Sequence, residues 1–299
     1  MCGRYASFRE DQALADEFAV ATVADDARLL PPSWNIAPTD GVRMVVERAD
    51  RETGEITRQL RVARWGLVPS WAKDPSVGAR MINARAETVA DKPAFARPLA
   101  ARRALLPADG YYEWQVLAPP PADVLDLPAL TGGEPTRSTG GPVVPGAGSG
   151  ASAAGSATSG RARAASGRTS APSGRGRRPA KQPYWIHPAD GDLAALAGLY
   201  EFWRDPTKAD DDPARWLVSV TVVTRAATQE MAAIHDRQPV VVPRDAWSTW
   251  LDPAVGADEA RELLTLAPPS LTAVPVSPRV NAVANDDPTL IDPFDPRGA

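Results

Sequence analysis

The residue whose type and position could do the most chemistry is Cys2, the only cysteine of the 299-residue chain, directly behind Met1. Removal of Met1 would leave an α-amine and a thiol on adjacent carbons, with ordinary pKa values of roughly 8 and 8.5. Such a 1,2-aminothiol can form an imine with an aldehyde and then close a five-membered thiazolidine ring. A single cysteine is also commonly an inert buried hydrophobe, and position alone leaves both interpretations open.

Two further side chains could move the protons that such chemistry needs. Glu113 lies among aromatic residues, and partial burial there would raise the pKa of its carboxyl and suit it to general acid or base work. His235 is one of two histidines, and an imidazole with a pKa of about 6.5 exchanges protons near neutrality. The alternatives are an ordinary carboxylate at a strand end and a structural histidine after an apolar helix.

Arginines and tryptophans supply candidate contacts to nucleic acid. The guanidinium groups of Arg4, Arg85 and Arg237 match phosphate oxygens better than an ammonium group does. Exposed tryptophans beside arginines can stack unpaired bases at roughly 1–3 kcal/mol per base, which makes Trp65 and Trp71 candidates for stacking. Surface salt bridges for the arginines and core positions for the tryptophans are the alternatives.

The bulk composition indicates a soluble globular protein. A hydrophobic content of 43% over 299 residues is enough for a sizeable core. We find no signal-peptide pattern and no apolar stretch near the roughly 20 residues of a membrane span, so we expect a cytoplasmic protein. The net charge of −4 argues against a broadly basic surface that coats nucleic acid, but it leaves room for a local basic groove.

The sequence predicts no cofactor. One cysteine and two histidines form no recognisable zinc pattern, and the fingerprints of dinucleotide-binding and phosphate-binding loops are absent.

A change in composition divides the chain. Residues 119–181 are rich in Gly, Ser, Ala, Pro and Arg, and such a segment has too few large apolar residues to offset its conformational entropy. We therefore predict a disordered insertion that interrupts a single discontinuous domain formed by residues 1–118 and 182–285. The Pro- and Asp-rich residues 286–299 are predicted to form an extended tail.

The flanking segments are mostly typical of strands. Alternating apolar and polar residues on both sides of the turn-forming residues 51–54 predict an antiparallel hairpin. Further strands are predicted in RRALLPADGYYEW, PYWIHPAD, LAALAGLYEFW and RWLVSVTVVT, and short helices in 11–20, 226–234 and 258–266. These elements predict an α+β fold.

Several segments together resemble one family. CGRY at 2–5, NARAE at 83–87, DGYYEW at 109–114 and HDRQP at 235–239 resemble the SRAP family, the SOS-response-associated peptidases that are also described as abasic-site processing proteins. Further similar segments, in the same order, are WNIAPTD, WGLVPSWAKD, LAGLYEFW and TVVTRAA. The resemblance implies a mainly antiparallel, barrel-like β-sheet with short flanking helices.

The resemblance also implies a function. Cys2, freed of Met1, would form a covalent crosslink with the ring-opened aldehyde of an abasic site in single-stranded DNA and protect that site during the DNA-damage response. Asn83 matches the family position that orients the cysteine and the aldehyde oxygen, and Glu113 and His235 would transfer protons. The expected partner is single-stranded DNA with abasic sites, bound by a monomer that is nucleoid-associated when it acts.

Two features depart from the family pattern, and two other functions stay open. Gln238 stands where the family usually has methionine, and the insertion behind Glu113 is unusually long. The same Cys2, Glu113 and His235 could serve a thiol peptidase or N-terminal-nucleophile hydrolase that acts on proteins. The chain could also be a non-catalytic module that binds single-stranded DNA.

Overall fold

The computed structural model describes residues 2–49, 54–117 and 179–296. The strands in these ranges are β1 Tyr5–Ser7, β2 Thr22–Val23, β3 Ser33–Ile36, β4 Gly41–Ala49, β5 Ile56–Trp65, β6 Asn83–Arg85, β7 Arg103–Ala108, β8 Gly110–Val116, β9 Lys181–Pro188, β10 Ala194–Arg204, β11 Trp216–Ala226, β12 Arg237–Pro239 and β13 Leu271–Pro275. The helices are α1 Asp11–Glu17, α2 Asp25–Arg28, α3 Pro93–Ala101, α4 Gln229–Ala232, α5 Trp247–Leu251 and α6 Ala257–Leu263.

Five strands close into a mixed barrel. β11, β10, β7, β4 and β5 pair antiparallel in that order, and β5 returns to pair parallel with β11, with Val220 opposite Trp65. The short strands β6 and β12 extend β11 in parallel and antiparallel pairing. The structure confirms the predicted α+β fold, in which short helices flank a mainly antiparallel, barrel-like sheet.

Alternation along the strands builds two cores, one on each side of the barrel wall. On β4, Met44 and Val46 lie in one cluster of buried residues and Val45 in the other, because successive strand residues point to opposite faces. The first cluster fills the barrel and includes Cys2. The second lies beneath the helices.

A second, five-stranded sheet brings the start of the chain to the barrel. Its order is β13, β9, β8, β1 and β3, and each neighbouring pair is antiparallel. Tyr5 on β1 lies opposite Tyr111 on β8. This pairing sets the residues before β1 beside the face of β8 that carries Glu113.

The local sequence predictions agree well with the described elements. The predicted hairpin is formed by β4 and β5, with Val45 opposite Leu60, and its turn lies largely outside the described residues. The helices predicted at 11–20, 226–234 and 258–266 are α1, α4 and α6, each shorter than predicted. Helices α2, α3 and α5 were not predicted from the sequence. Helices α2 and α5 are short, and α3 contains an internal proline, Pro98.

The described parts of residues 1–117 and 180–299 belong to one folded unit. The predicted disordered insertion at 119–181 lies outside the described residues, apart from its last three, of which Lys181 begins β9. In the described part of the chain no helix is both long and apolar enough to cross a membrane.

The predicted extended tail at 286–299 is wrong over its described part. Leu290 is fully buried, and Phe294 N donates to Pro275 O at 2.9 Å. Asp286 accepts a hydrogen bond from Trp34 N at 2.6 Å. The prolines and aspartates form a short 3-10 helix, Pro288–Ile291, that Asp287 caps, so these residues make turns that pack rather than an extended chain.

Candidate active site at the start of the chain

Asn83 holds the backbone of Cys2. It is the first residue of β6, which the parallel pairing with β11 fixes opposite Val222. Its Nδ2 donates to the Cys2 carbonyl oxygen at 2.8 Å. Its Oδ1 is buried and has no hydrogen-bond partner within the described residues. The residue predicted to orient the cysteine therefore contacts it and keeps one buried acceptor available.

Glu113 is a buried carboxyl on β8. It is 2% exposed, and burial raises the pKa of its carboxyl from the ordinary 4.5 to about 7, since desolvation disfavours the charged form. A group with this pKa is present in both protonation states near neutrality. Glu113 can thus release or take up a proton at the working pH of most enzymes.

The thiol of Cys2 lies in the electrostatic field of Glu113. Cys2 is fully buried, and burial, followed by the negative charge of Glu113, raises the pKa of its thiol well above the ordinary range. An unperturbed cysteine thiol, with a pKa of roughly 8.5, would be partly ionised near neutrality. The structure differs, because a buried thiol beside a carboxyl stays protonated.

His235 lies close to Glu113. It follows α4, and its Nε2 lies 3.9 Å from Glu113 Oε2. Arg237 N donates to its Nδ1 at 3.0 Å, while Asp236 Oδ1 lies 2.9 Å from the same atom. Burial lowers the pKa of His235, and Asp236 is 88% exposed, where charge attraction is weak. The ring is therefore neutral near pH 7, and its Nε2 faces the carboxyl of Glu113.

Gln238 fixes the segment that carries His235. It is 1% exposed, and its Oε1 accepts a hydrogen bond from Thr228 N at 2.8 Å. Thr228 precedes α4, and His235 N donates to Met231 O at 3.1 Å in the turn that follows. A glutamine at this position therefore anchors the helix below His235 by a polar contact that methionine could not make.

The three candidate phosphate ligands differ in their present partners. Arg85, at the end of β6, is exposed and has no side-chain ion pair or hydrogen bond within the described ranges. Arg237 forms a two-point ion pair with Glu87 at 2.7 and 3.0 Å, and this contact lowers the pKa of Glu87 to about 2. Arg4 donates to Asn35 Oδ1 at 2.7 Å and to Val280 O at 2.9 Å. Arg85 is thus the arginine of the three that is ready for an anion.

The two candidate stacking tryptophans lie in opposite environments. Trp65 is fully buried, its Nε1 donates to Ile82 O at 2.9 Å, and its ring packs edge-on against Tyr5. The expectation that Trp65 stacks a base therefore conflicts with its position in the core. Trp71 is 67% exposed. The chain bends between them at Gly66, whose φ of +120° is strained for any residue with a side chain.

Two features of the site were not predicted from the sequence. Glu87 is the ion-pair partner of Arg237, and Tyr111 is buried beside the site. Tyr111 is 1% exposed and precedes Glu113 by two residues, a spacing that signals a shared strand face. No cluster of three or more His, Cys, Asp or Glu side chains that could hold a metal ion occurs in residues 2–49, 54–117 and 179–296.

The closed barrel and its second sheet define a class of fold seen in solved structures. One is a protein from Bacteroides thetaiotaomicron, with a TM-score of 0.65 and 16% identity over 98% of this chain and 100% of that one. Another is a phage-related protein from Bordetella bronchiseptica, with a TM-score of 0.53 and 24% identity over 92% and 94% of the two chains. These similarities concern the fold alone.

The family model for SOS response associated peptidase (SRAP) matches residues 1–122 and 174–283, and the chain belongs to this family. The "Abasic site processing protein YoqW" of Bacillus subtilis is 28% identical over 294 residues, covering 98% of this chain and 99% of that protein. The "Abasic site processing protein HMCES" of Gallus gallus is 27% identical over 290 residues, covering 88% and 67% of the two chains.

Proposed function

We propose that this protein processes abasic sites in single-stranded DNA by forming a covalent thiazolidine between Cys2 and the ring-opened sugar aldehyde. The observation that carries the proposal is the meeting of Cys2 with Glu113 and Asn83 in one buried site. The names of the two relatives support DNA with abasic sites as the substrate. The bond protects the site while DNA damage persists.

The reaction requires a chain without Met1, because an acylated nitrogen cannot form an imine. Met1 leaves by hydrolysis of the first peptide bond, either by the protein itself or by a separate aminopeptidase. Glu113, the proton-transferring carboxyl nearest the Cys2 thiol, is the candidate base for an internal hydrolysis. The freed α-amine and the thiol then form the aminothiol.

The amine of Cys2 attacks before its thiol. Burial keeps the thiol protonated, whereas an α-amine has an ordinary pKa of about 8 and is partly neutral near pH 7. Addition of the amine to the aldehyde carbon forms a C–N bond and moves the carbonyl electron pair to oxygen. Loss of that oxygen as water leaves a protonated imine, and addition of sulfur to the same carbon, with the thiol proton passing to the Glu113 carboxylate, closes the ring.

Glu113 and His235 supply the protons in this sequence. The carboxyl of Glu113, with a pKa of about 7, protonates the departing hydroxyl and takes up the thiol proton in the ring closure. His235 Nε2 lies 3.9 Å from Glu113 Oε2, and the imidazole assists proton transfer at the sugar ring oxygen, which opens the closed hemiacetal. Asn83 holds the Cys2 carbonyl at 2.8 Å and so orients the nucleophile.

The DNA strand is held by its phosphates and bases outside the buried site. Arg85 is the free guanidinium beside the site and binds a phosphate directly. Arg237 binds a phosphate that replaces Glu87 as its partner. Arg4 contributes positive charge next to Cys2. The exposed ring of Trp71 stacks an unpaired base. Such contacts favour single strands, whose bases are accessible. The protein acts as a monomer in the cytoplasm.

The test is incubation with an abasic single-stranded oligonucleotide followed by denaturing electrophoresis. We expect a shifted band with the wild type, none with Cys2→Ala, and no denaturation-stable band with Cys2→Ser, whose oxygen closes a less stable ring. The intact oligonucleotide of the same sequence is the control. A stable band with Cys2→Ala, or cleavage of foreign peptides without any DNA adduct, would contradict the proposal and favour another nucleophile or a peptidase.

A further inference from the structure

Two consecutive tyrosines on β8 have hydroxyl groups in contrasting states. Tyr112 donates its hydroxyl proton to Trp34 O at 2.8 Å. Tyr111 is 1% exposed, and its hydroxyl has no hydrogen-bond partner within the described residues. Because buried hydroxyl groups nearly always have a partner, the state of Tyr111 calls for a physical reason.

The position of Tyr111 links it to the active site. It lies on the same face of β8 as Glu113, two residues away, and its ring belongs to the same apolar cluster as Cys2. Burial raises the pKa of its hydroxyl well above the usual value, and the neighbouring acidic groups of Cys2 and Glu113 raise it further. Tyr111 therefore keeps its proton at any working pH and offers a neutral donor beside the nucleophile.

A buried acceptor without a partner belongs to Asn83, which also contacts Cys2. Asn83 binds the Cys2 carbonyl through Nδ2, while its Oδ1 is buried and unpartnered in the described part of the chain. The site thus contains one unused donor and one unused acceptor. A hydroxyl group, which accepts one hydrogen bond and donates another, complements both.

We propose that Tyr111 donates a hydrogen bond to the oxygen on the aldehyde carbon of the abasic site, and that Asn83 Oδ1 accepts one from the same oxygen once it is a hydroxyl. This inference rests on the proposed function and adds a substrate-contacting residue to it. Tyr111 transfers no proton overall. Its hydrogen bond polarises the carbonyl as the amine adds and holds the hydroxyl that Glu113 protonates and that leaves as water.

The test is Tyr111→Phe, which removes a single oxygen atom and keeps the ring. We expect the single-turnover rate of adduct formation with abasic single-stranded DNA to fall by about 100- to 1,000-fold, as for the loss of one donor to a developing negative charge. The matched control is Tyr112→Phe, which removes a hydroxyl bound to Trp34 O. It should lower the melting temperature, whereas Tyr111→Phe should leave it unchanged or raise it.

Binding of a tetrahydrofuran abasic analogue separates a contact with the substrate from a general disturbance. This analogue lacks the oxygen on the reacting carbon, so wild type and Tyr111→Phe should bind it equally. A wild-type rate in Tyr111→Phe would overturn the inference, and so would equal losses in rate and in binding of the analogue. Failure of the proposed function gives a different result, because the wild type itself would then form no adduct.

Discussion

The side-chain amide of Asn83 donates a hydrogen bond to the backbone carbonyl of Cys2 at 2.8 Å. This contact joins the start of the chain to β6, which lies 81 residues later in the sequence and is paired with the barrel strand β11. The barrel therefore helps to position Cys2, together with the pairing of the neighbouring strand β1 with β8. Precise placement of reacting groups is worth large factors in rate, so the contact is a direct target for mutation.

Asn83→Ala should slow adduct formation more than it destabilises the fold. The variant loses one hydrogen bond, which is worth about 1 kcal/mol of folding free energy, but Cys2 also loses its orientation, and we expect at least about a tenfold lower rate. The measurements are a single-turnover rate and a denaturant titration. Asn281→Ala, which removes an exposed partner of Trp114 Nε1, is the control, and a rate that falls equally in both variants would refute the positioning role.

The rate of adduct formation should have a bell-shaped pH profile. The reaction needs a neutral α-amine, whose ordinary pKa is about 8, so the rate rises with pH on the acidic side. It also needs the protonated carboxyl of Glu113, whose pKa burial raises to about 7, so the rate falls on the alkaline side. Glu113→Gln should be much slower and should retain only the rising limb. The same falling limb in Glu113→Gln as in the wild type would assign that limb to another group.

Glu113→Gln should also stabilise the protein at alkaline pH. The folded-state pKa of Glu113, about 7, lies above the ordinary 4.5, so protonation favours the folded state. This contribution is fully present below pH 4.5 and is lost as the pH rises through 7. The glutamine variant should therefore match the wild type at pH 4.5 and exceed its unfolding free energy at pH 8 by up to about 3 kcal/mol.

Denaturant titrations at the two pH values test this prediction, and Glu201→Gln is the control. Glu201 is also buried, but it is paired with Arg102, so its neutralisation should destabilise the protein at pH 8. Lower stability of Glu113→Gln than of the wild type at pH 8 would contradict the prediction. It would mean that contacts in the folded protein outweigh the cost of burying the Glu113 carboxylate.

Arg85 and Glu87 should affect DNA binding in opposite directions. Arg85→Ala removes a free cation and should weaken binding of single-stranded DNA at low salt, with the salt-dependence slope lowered by about 1. Glu87→Gln removes an acid and releases Arg237 from its ion pair, so it should tighten binding. Fluorescence anisotropy at several salt concentrations measures both effects.

Glu17→Gln is the control for that comparison, because it frees Arg244 from an exposed ion pair outside the candidate site. It should leave DNA affinity close to that of the wild type. An equal gain for Glu17→Gln and Glu87→Gln would mean that net charge alone, and not the release of Arg237, sets the affinity.

Most of the fold was predictable because its strands have local signals. Alternating residues identify β4 and β5, and their short connection makes an antiparallel hairpin the simplest pairing. The closure of the barrel was not predictable from this pattern. It depends on the parallel pairing of Val220 with Trp65, across 155 positions, and no local residue pattern specifies such a partner.

The predicted proton-transfer residues lie together, but side-chain environments needed the structure. An aromatic neighbourhood predicted the burial of Glu113, whereas nothing in the sequence distinguishes the buried Trp65 from the exposed Trp71. The spacing of two residues from Glu113 indicates that Tyr111, and not Tyr112, shares the face of the site, but the sequence does not show which of the two hydroxyl groups lacks a partner. The assigned catalytic and DNA-binding roles stay predictions.

Intact mass spectrometry can show whether the ring uses both the amine and the sulfur of Cys2. Preparations with and without Met1 are mixed with the same abasic single-stranded oligonucleotide. We expect that only the chain lacking Met1 gains the mass of one oligonucleotide minus one water, and that Cys2→Ala lacking Met1 gains no stable adduct. A stable adduct on the chain that retains Met1, or on Cys2→Ala, would contradict this expectation.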